Sequence, residues 1–239
     1  MQRRDFVTAC AALGTAAGLS SLADAWAAAA PRLYQRTRLV DVHGEPLKAS
    51  SLAARTNYVF NYPFTATPCF LLDLGRPVAG ADGLLRADGA TYAWSGGVGA
   101  HSSIVAYSAI CAHKLAYPAR EVSFIRFQAA RSPTSDGNVI HCCADHSVYD
   151  PAAGARVVSG PAPQPLAAIL LDYDAQRDEL AALGTVGAEQ FDAFFLKYDF
   201  KLALDYGPGK ARLPVGASTV VRELTDYCRQ TIALLNNLG

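Results

Sequence analysis

The sequence predicts a mainly β fold, an antiparallel sandwich or barrel. Three observations lead there. Short runs rich in β-branched and aromatic residues recur along the chain, and each is ended by glycine, proline or a polar turn. Aromatic residues make up 10% and glycine 19 of the 239 residues, a content ordinary for a β-rich globular protein. With 51% of its residues hydrophobic, the chain is long enough for one domain with a core plus appendages.

Taken in order, residues 1–27 read as a targeting leader. Arg3-Arg4-Asp5-Phe6-Val7 is a twin-arginine motif, followed by an Ala/Gly-rich, mildly apolar leader helix to about Leu22. Ala25-Trp26-Ala27 offers a small-x-small cleavage site, with a mature start near Ala28. The stretch is short for a membrane span, which needs about 20 apolar residues. Cleavage is therefore expected, with a retained membrane anchor as the alternative, and the periplasm as destination. That route carries folded proteins.

Residues 28–187 hold the strands. Leu39-Val40-Asp41-Val42, Tyr58–Tyr62 and Cys69–Leu74 are the first, and the third stops at Gly75. Residues 79–100 contain six glycines and are expected as an inserted loop, with Trp94 either pinning it or forming a docking surface. Ser103–Ser108 is a strand, residues 114–138 an insertion, Val139-Ile140-His141 a strand, and Ala167–Leu171 with Glu179–Gly184 the return. Residues 188–239 read as a helical extension. Phe191, Phe194, Phe195 and Leu196 suggest an amphipathic helix, and Thr219 to about Leu235 has helical spacing through Val220, Leu224, Tyr227 and Ile232.

Charge excludes one class of partner. Twenty-one basic and twenty-one acidic residues cancel and no long basic tract occurs, so nothing points to nucleic acid. No Ser/His/Asp triad, P-loop or dinucleotide glycine motif is present. The chemistry lies in two boxes, Cys111-Ala112-His113 and Cys143-Ala144-Asp145-His146. After the second come Ser147-Val148-Tyr149-Asp150-Pro151, Gly154, and Gly160-Pro161-Ala162-Pro163.

These residues together resemble the Rieske iron–sulfur protein family, whose sequences run S-x-Y-D-P…G…GPAP after the second box. The resemblance implies a Rieske-type sandwich with cluster-binding loops, the cluster-binding part spanning about residues 105–165. It implies a [2Fe–2S] cluster with Cys111 and Cys143 on one iron and His113 and His146 on the other. Ser147 and Tyr149 would be hydroxyl donors to a cluster sulfide and a ligand thiolate, and the loop of Gly160, Pro161 and Pro163 would cover the third side. A structural zinc site takes the same donors, but has no use for that loop or that hydroxyl pair.

The second box is irregular. The family pattern is C-P-C-H-G-S, with the inner cysteine bridged to one three residues beyond the first-box histidine. Here that position is Ala116, so the bridge is absent. Keeping C-x-x-H preserves both donor types and favours Cys143 with His146. Counting back from Ser147 without a gap instead makes Cys142 the ligand, Ala144 the lost bridge cysteine, and puts Asp145 at the histidine position. Both frames stay open. Cys69 and Cys228 are able to pair, although a buried free thiol is the default for each.

The implied function is one-electron transfer. Partners implied by the resemblance are a larger oxidoreductase subunit, a cytochrome b or a cytochrome c, with quinol as a small-molecule donor. The leader would add membrane association if it is retained. The chain is similar to the small subunits of arsenite oxidases and to the Rieske subunits of quinol–cytochrome c reductases. A free periplasmic carrier is the alternative. A Rieske-type oxygenase would need a further iron site, and no histidine follows His146.

Overall fold

The computed structural model describes residues 30–132 and 135–232. The leader expected over 1–27, with its helix, export motif and cleavage site, lies outside the described residues, as does 233–239 at the end of the tail. In chain order the strands are β1 (Arg32–Val40), β2 (Tyr58–Asn61), β3 (Pro68–Asp73), β4 (Ala81–Leu85), β5 (Thr91–Trp94) and β6 (Ile104–Ser108). Next come β7 (Val122–Ser123), β8 (Ile125–Gln128), β9 (Val139–Cys142), β10 (Ser147–Asp150), β11 (Arg156–Ser159), β12 (Ala168–Asp174) and β13 (Glu179–Val186). Helix α1 (Phe191–Tyr206) follows, then β14 (Ser218–Val220), β15 (Arg222–Glu223), the single-turn α2 (Leu224–Tyr227) and β16 (Gln230–Thr231).

The mainly β expectation holds. Eight strands form one sheet in the order β14-β1-β13-β12-β6-β3-β2-β15, and four form a second in the order β11-β10-β9-β8. Edge strands β14 and β15 are separated in sequence by Val221 alone, whose N–H bonds to Val40 O at 2.8 Å. A sheet whose two edges meet across one residue is curled almost into a barrel, which leaves little open edge.

Strands β3 and β6 are apolar but for their last residues, Asp73 and Ser108, because both their faces are covered. Phe70, Leu72, Val105 and Tyr107 enter a core shared with the four-stranded sheet, with Cys111, Cys142 and Tyr149. Their neighbours Cys69, Leu71, Ile104 and Ala106 enter a second core inside the curl, with Leu39 and Phe60. The period of two thus survives as a choice between cores rather than between core and water.

Three expectations need revision. Residues 79–100 contain the β4–β5 hairpin rather than only loop. Trp94 is buried there, its ring 5.8 Å from Tyr107, so it pins the hairpin and offers no docking surface. In α1, Phe191, Phe194 and Phe195 are buried with Ala66 and Ile110, but Leu196 faces solvent. Among the described residues, the helical spacing seen from Thr219 is realised only in the single turn α2, Leu224–Tyr227. Thr219, Val220 and Val221 are β-branched, and β1 and β2 present unpaired edges for them, so pairing overrides a weak periodicity.

Candidate metal centre

Two loops converge at one end of the four-stranded sheet. The first follows β6 and is closed on itself: Leu115 N–H bonds to Cys111 O at 3.0 Å, and Cys111 N–H to Ala116 O at 2.8 Å. Gln190, just before α1, holds it from outside by donating Nε2–H to Ala112 O at 2.8 Å. The second loop is the turn of the β9–β10 hairpin, residues 143–146. His146 N–H bonds to Cys142 O at 2.8 Å, and Asp145 Oδ1 accepts the Ser147 N–H at 3.0 Å, an Asx turn.

Between the loops lie donor atoms of three kinds. The sulfurs of Cys111 and Cys142 and a carboxylate oxygen of Asp145 all lie within 4.8 Å of one another. His113 joins them, with Nδ1 3.0 Å from Asp145 Oδ2, and that same oxygen is 3.2 Å from Cys111 Sγ. The Asp145 side chain is only 2% exposed, whereas His113 is 36% exposed and faces solvent.

The second box therefore differs from the preferred expectation of Cys143 with His146, and the pleat supplies the reason. Cys142 pairs with Ser147 across the hairpin and Ile140 with Tyr149, while His141 pairs with Val148. Alternation puts Ile140, Cys142, Ser147 and Tyr149 on one face and His141 on the other. Cys143, beyond the strand end, places its sulfur 3.5 Å from His141 Nδ1 and 3.6 Å from Ile232 O, whereas the donors grouped with Cys111 are Cys142 and Asp145. His146 is exposed, its ring 6.0 Å from that of His141. It also has φ 62°, the left-handed conformation that glycine adopts most readily. Glycine is what C-P-C-H-G-S carries there when counted back from Ser147. The signal for this frame was in the sequence, as the ungapped count back from Ser147.

The expected hydroxyls face the donors. Tyr149 Oη accepts the Ala112 N–H at 3.1 Å, which turns its own proton towards Cys111 Sγ at 3.4 Å. Ser147 is fully buried, and its Oγ lies near the Asp145 carboxylate without a well-formed hydrogen bond to any atom. Gly160 has φ 91°, and a Cβ there would stand 2.5 Å from His146 O and 2.6 Å from Ser147 Cα. The glycine thus lets its loop lie against the second box. Pro161 and Pro163 of that loop are exposed, and Ala162 between them packs on the core.

Electrostatics mark this as a place for a cation. Cys111 is pulled below the ordinary thiol value, first by a hydrogen bond from Cys142, against its own burial. Cys142 is pushed up as the donor of that bond and by burial, so of the two sulfurs Cys111 is the first to give up its proton. Burial pushes Asp145 up, but the Ser147 N–H and both thiols outweigh it and hold the carboxyl below its usual value. Two sulfurs, a carboxylate and an imidazole crowded together fit an iron centre, the sulfurs as its soft ligands. The unpartnered Ser147 hydroxyl fits the sulfide acceptor that a [2Fe–2S] cluster would bring, since a buried hydroxyl left without a bond costs about 1–3 kcal/mol.

No protein-family model matches the chain. Among solved structures, the chain is similar to the crystal structure of the soluble domain of the Rieske protein II from Sulfolobus acidocaldarius. The two share 28% identity over 66% of this chain and 84% of that one, with a TM-score of 0.47.

Proposed function

We propose that this protein is a one-electron carrier that holds a Rieske-type [2Fe–2S] cluster between its 111–116 loop and the β9–β10 turn. The observation that carries the reading is the convergence of Cys111, Cys142, His113 and Asp145, with the Tyr149 and Ser147 hydroxyls facing them. Bound there, a cluster with imidazole ligation would take and give one electron at a potential in the broad window of about −150 to +300 mV. The chain's own part is to position and to insulate. Cys111 and Cys142 sit in the core and are cut off from water, which protects thiolates from oxidation. Tyr149 donates to the Cys111 sulfur, and Ser147 is placed to do so for a sulfide; such bonds favour the more negative, reduced state. His113 alone reaches the surface, and its exposed edge is the shortest route to a docked partner.

The partner is a larger oxidoreductase subunit. A stripe of Leu196, Phe200 and Leu204 on α1, 81%, 77% and 71% exposed, lies on the helix that holds the His113 loop through Gln190 and through Lys197 Nζ on Lys114 O. Contiguous exposed apolar side chains mark interaction sites. The complex is of the quinol–cytochrome c reductase or arsenite-oxidase kind, and the twin-arginine motif sends the loaded protein to the periplasm. The test is the visible absorption and low-temperature electron paramagnetic resonance of the purified full-length protein after reduction, with iron and acid-labile sulfide measured on the same sample. A coloured protein with equal iron and sulfide and a reduced-state signal is expected. A colourless, silent protein containing zinc overturns the reading.

A further inference from the structure

We propose that Asp145 is the fourth protein ligand, so that the outer iron is held by one imidazole, His113, and one carboxylate in place of two imidazoles. This rests on the cluster reading above. Four observations carry it. The hairpin register puts Cys142, not Cys143, on the face of Ser147 and Tyr149, and Asp145 follows three residues later in the tight turn. The two carboxylate oxygens divide the work: Oδ1 is fixed by the Ser147 N–H, leaving Oδ2 aimed at Cys111 Sγ and His113 Nδ1. The carboxylate is nearly inaccessible to water, and its ion-pair partner is the imidazole of His113, not a lysine or arginine. Burying a carboxylate is costly, and a ferric ion held between it and His113 would offset that cost. Finally, His146 occupies a left-handed position on the other side of the turn, with its ring beside His141.

The exchange has chemical consequences. A carboxylate is a hard, anionic oxygen donor and favours Fe(III) more than neutral imidazole does. It adds one negative charge next to the cluster, so it stabilises the oxidised form and lowers the reduction potential relative to a two-imidazole site on the same scaffold. A single imidazole edge also remains at the surface, which confines electron exit to the side of His113 and α1.

Counting imidazole nitrogens on the reduced cluster tests the proposal. Pulsed electron–nuclear double resonance of the loaded full-length protein, with and without 15N-histidine labelling, is expected to show one strongly coupled imidazole nitrogen. Asp145→His should show two, with the reduction potential shifted upward. His146→Ala and Cys143→Ala should leave the spectrum and the iron content of the wild type. Two coupled nitrogens in the wild type, one of them lost in His146→Ala, would overturn the assignment while leaving the cluster in place. An unchanged spectrum and potential in Asp145→Ala would overturn it as well. A protein without iron and sulfide would remove the cluster reading itself, and this inference with it, so the two failures are told apart by metal analysis.

Discussion

A single hydroxyl ties the two cluster loops together at Tyr149. Its oxygen accepts from the first loop at Ala112, and its proton points to the Cys111 sulfur. Burial pushes the phenol far above its ordinary range, so it stays protonated and able to donate. A hydrogen bond worth about 1 kcal/mol more in the reduced state corresponds to roughly 40 mV for one electron, tenfold being 59 mV. Tyr149→Phe is therefore expected to lower the reduction potential by tens of millivolts while the cluster is retained, as read by protein-film voltammetry. An unchanged potential would reduce Tyr149 to a core packing residue. The residue types at this site were legible in sequence because hydroxyls two apart on a strand share a face. The fourth ligand was not. Matching donor types favoured histidine over the ungapped count back from Ser147, whereas pleat and turn bring Cys142 and Asp145 to Cys111.

The β9–β10 hairpin decides that choice, and it makes its own prediction. A four-residue connection with its last residue left-handed suits glycine, and a side chain there costs about 1–2 kcal/mol. His146→Gly relieves that cost but gives the unfolded chain more freedom, a penalty of about 0.5–1 kcal/mol. The variant should keep its cluster and melt at the same temperature as the wild type or a little above it, a gain of at most about 1.5 kcal/mol. Thermal melts followed by cluster absorption read this directly, and loss of the cluster would instead make His146 a ligand. Elements elsewhere were legible to the degree that their pattern was strong. The apolar runs of β3 and β6 read plainly as strands, but the 79–100 hairpin was masked by six glycines, several of which take positive φ in turns. The tail misled because helical spacing over short, β-branched stretches is weak against open sheet edges.

At the scale of the whole molecule, the tail is a seam rather than an appendage. Residues 218–231 add β14 beside β1, β15 beside β2 and β16 beside β7, and they bury Val221, Leu224 and Cys228. Burying such a side chain contributes about 1.5–3 kcal/mol, and a domain is stable by only about 5–15 kcal/mol in all. Removing the chain from Ser218 onward is expected to cost several kcal/mol and to leave a protein that loses its cluster well below the melting temperature of the full chain. A truncated protein with full-length stability, measured by circular dichroism, would make the seam dispensable.

The same molecule stands without the disulfide that usually braces such loops. Cys69, Cys111, Cys142 and Cys228 are in no disulfide, and Ala116 and Ala144 stand where the bridge would form. Cys69 and Cys228 are both buried but lie in different cores, so they do not replace it. Burial pushes the Cys228 thiol up to about 12 and the Cys69 thiol higher still, which keeps both protonated and unreactive. A disulfide contributes about 2–4 kcal/mol; here the hydrogen bonds within the 111–116 loop and Gln190 on Ala112 take that place, and the proposed metal ligands would add to them. Cluster loss on heating, followed anaerobically without a chelator, should therefore be the same with and without dithiothreitol. The pair of sulfurs that lie together is Cys111 with Cys142, and a bound cluster would occupy both. Faster loss in dithiothreitol would reveal a disulfide elsewhere that braces the loaded fold, and would overturn this account of what holds the loops.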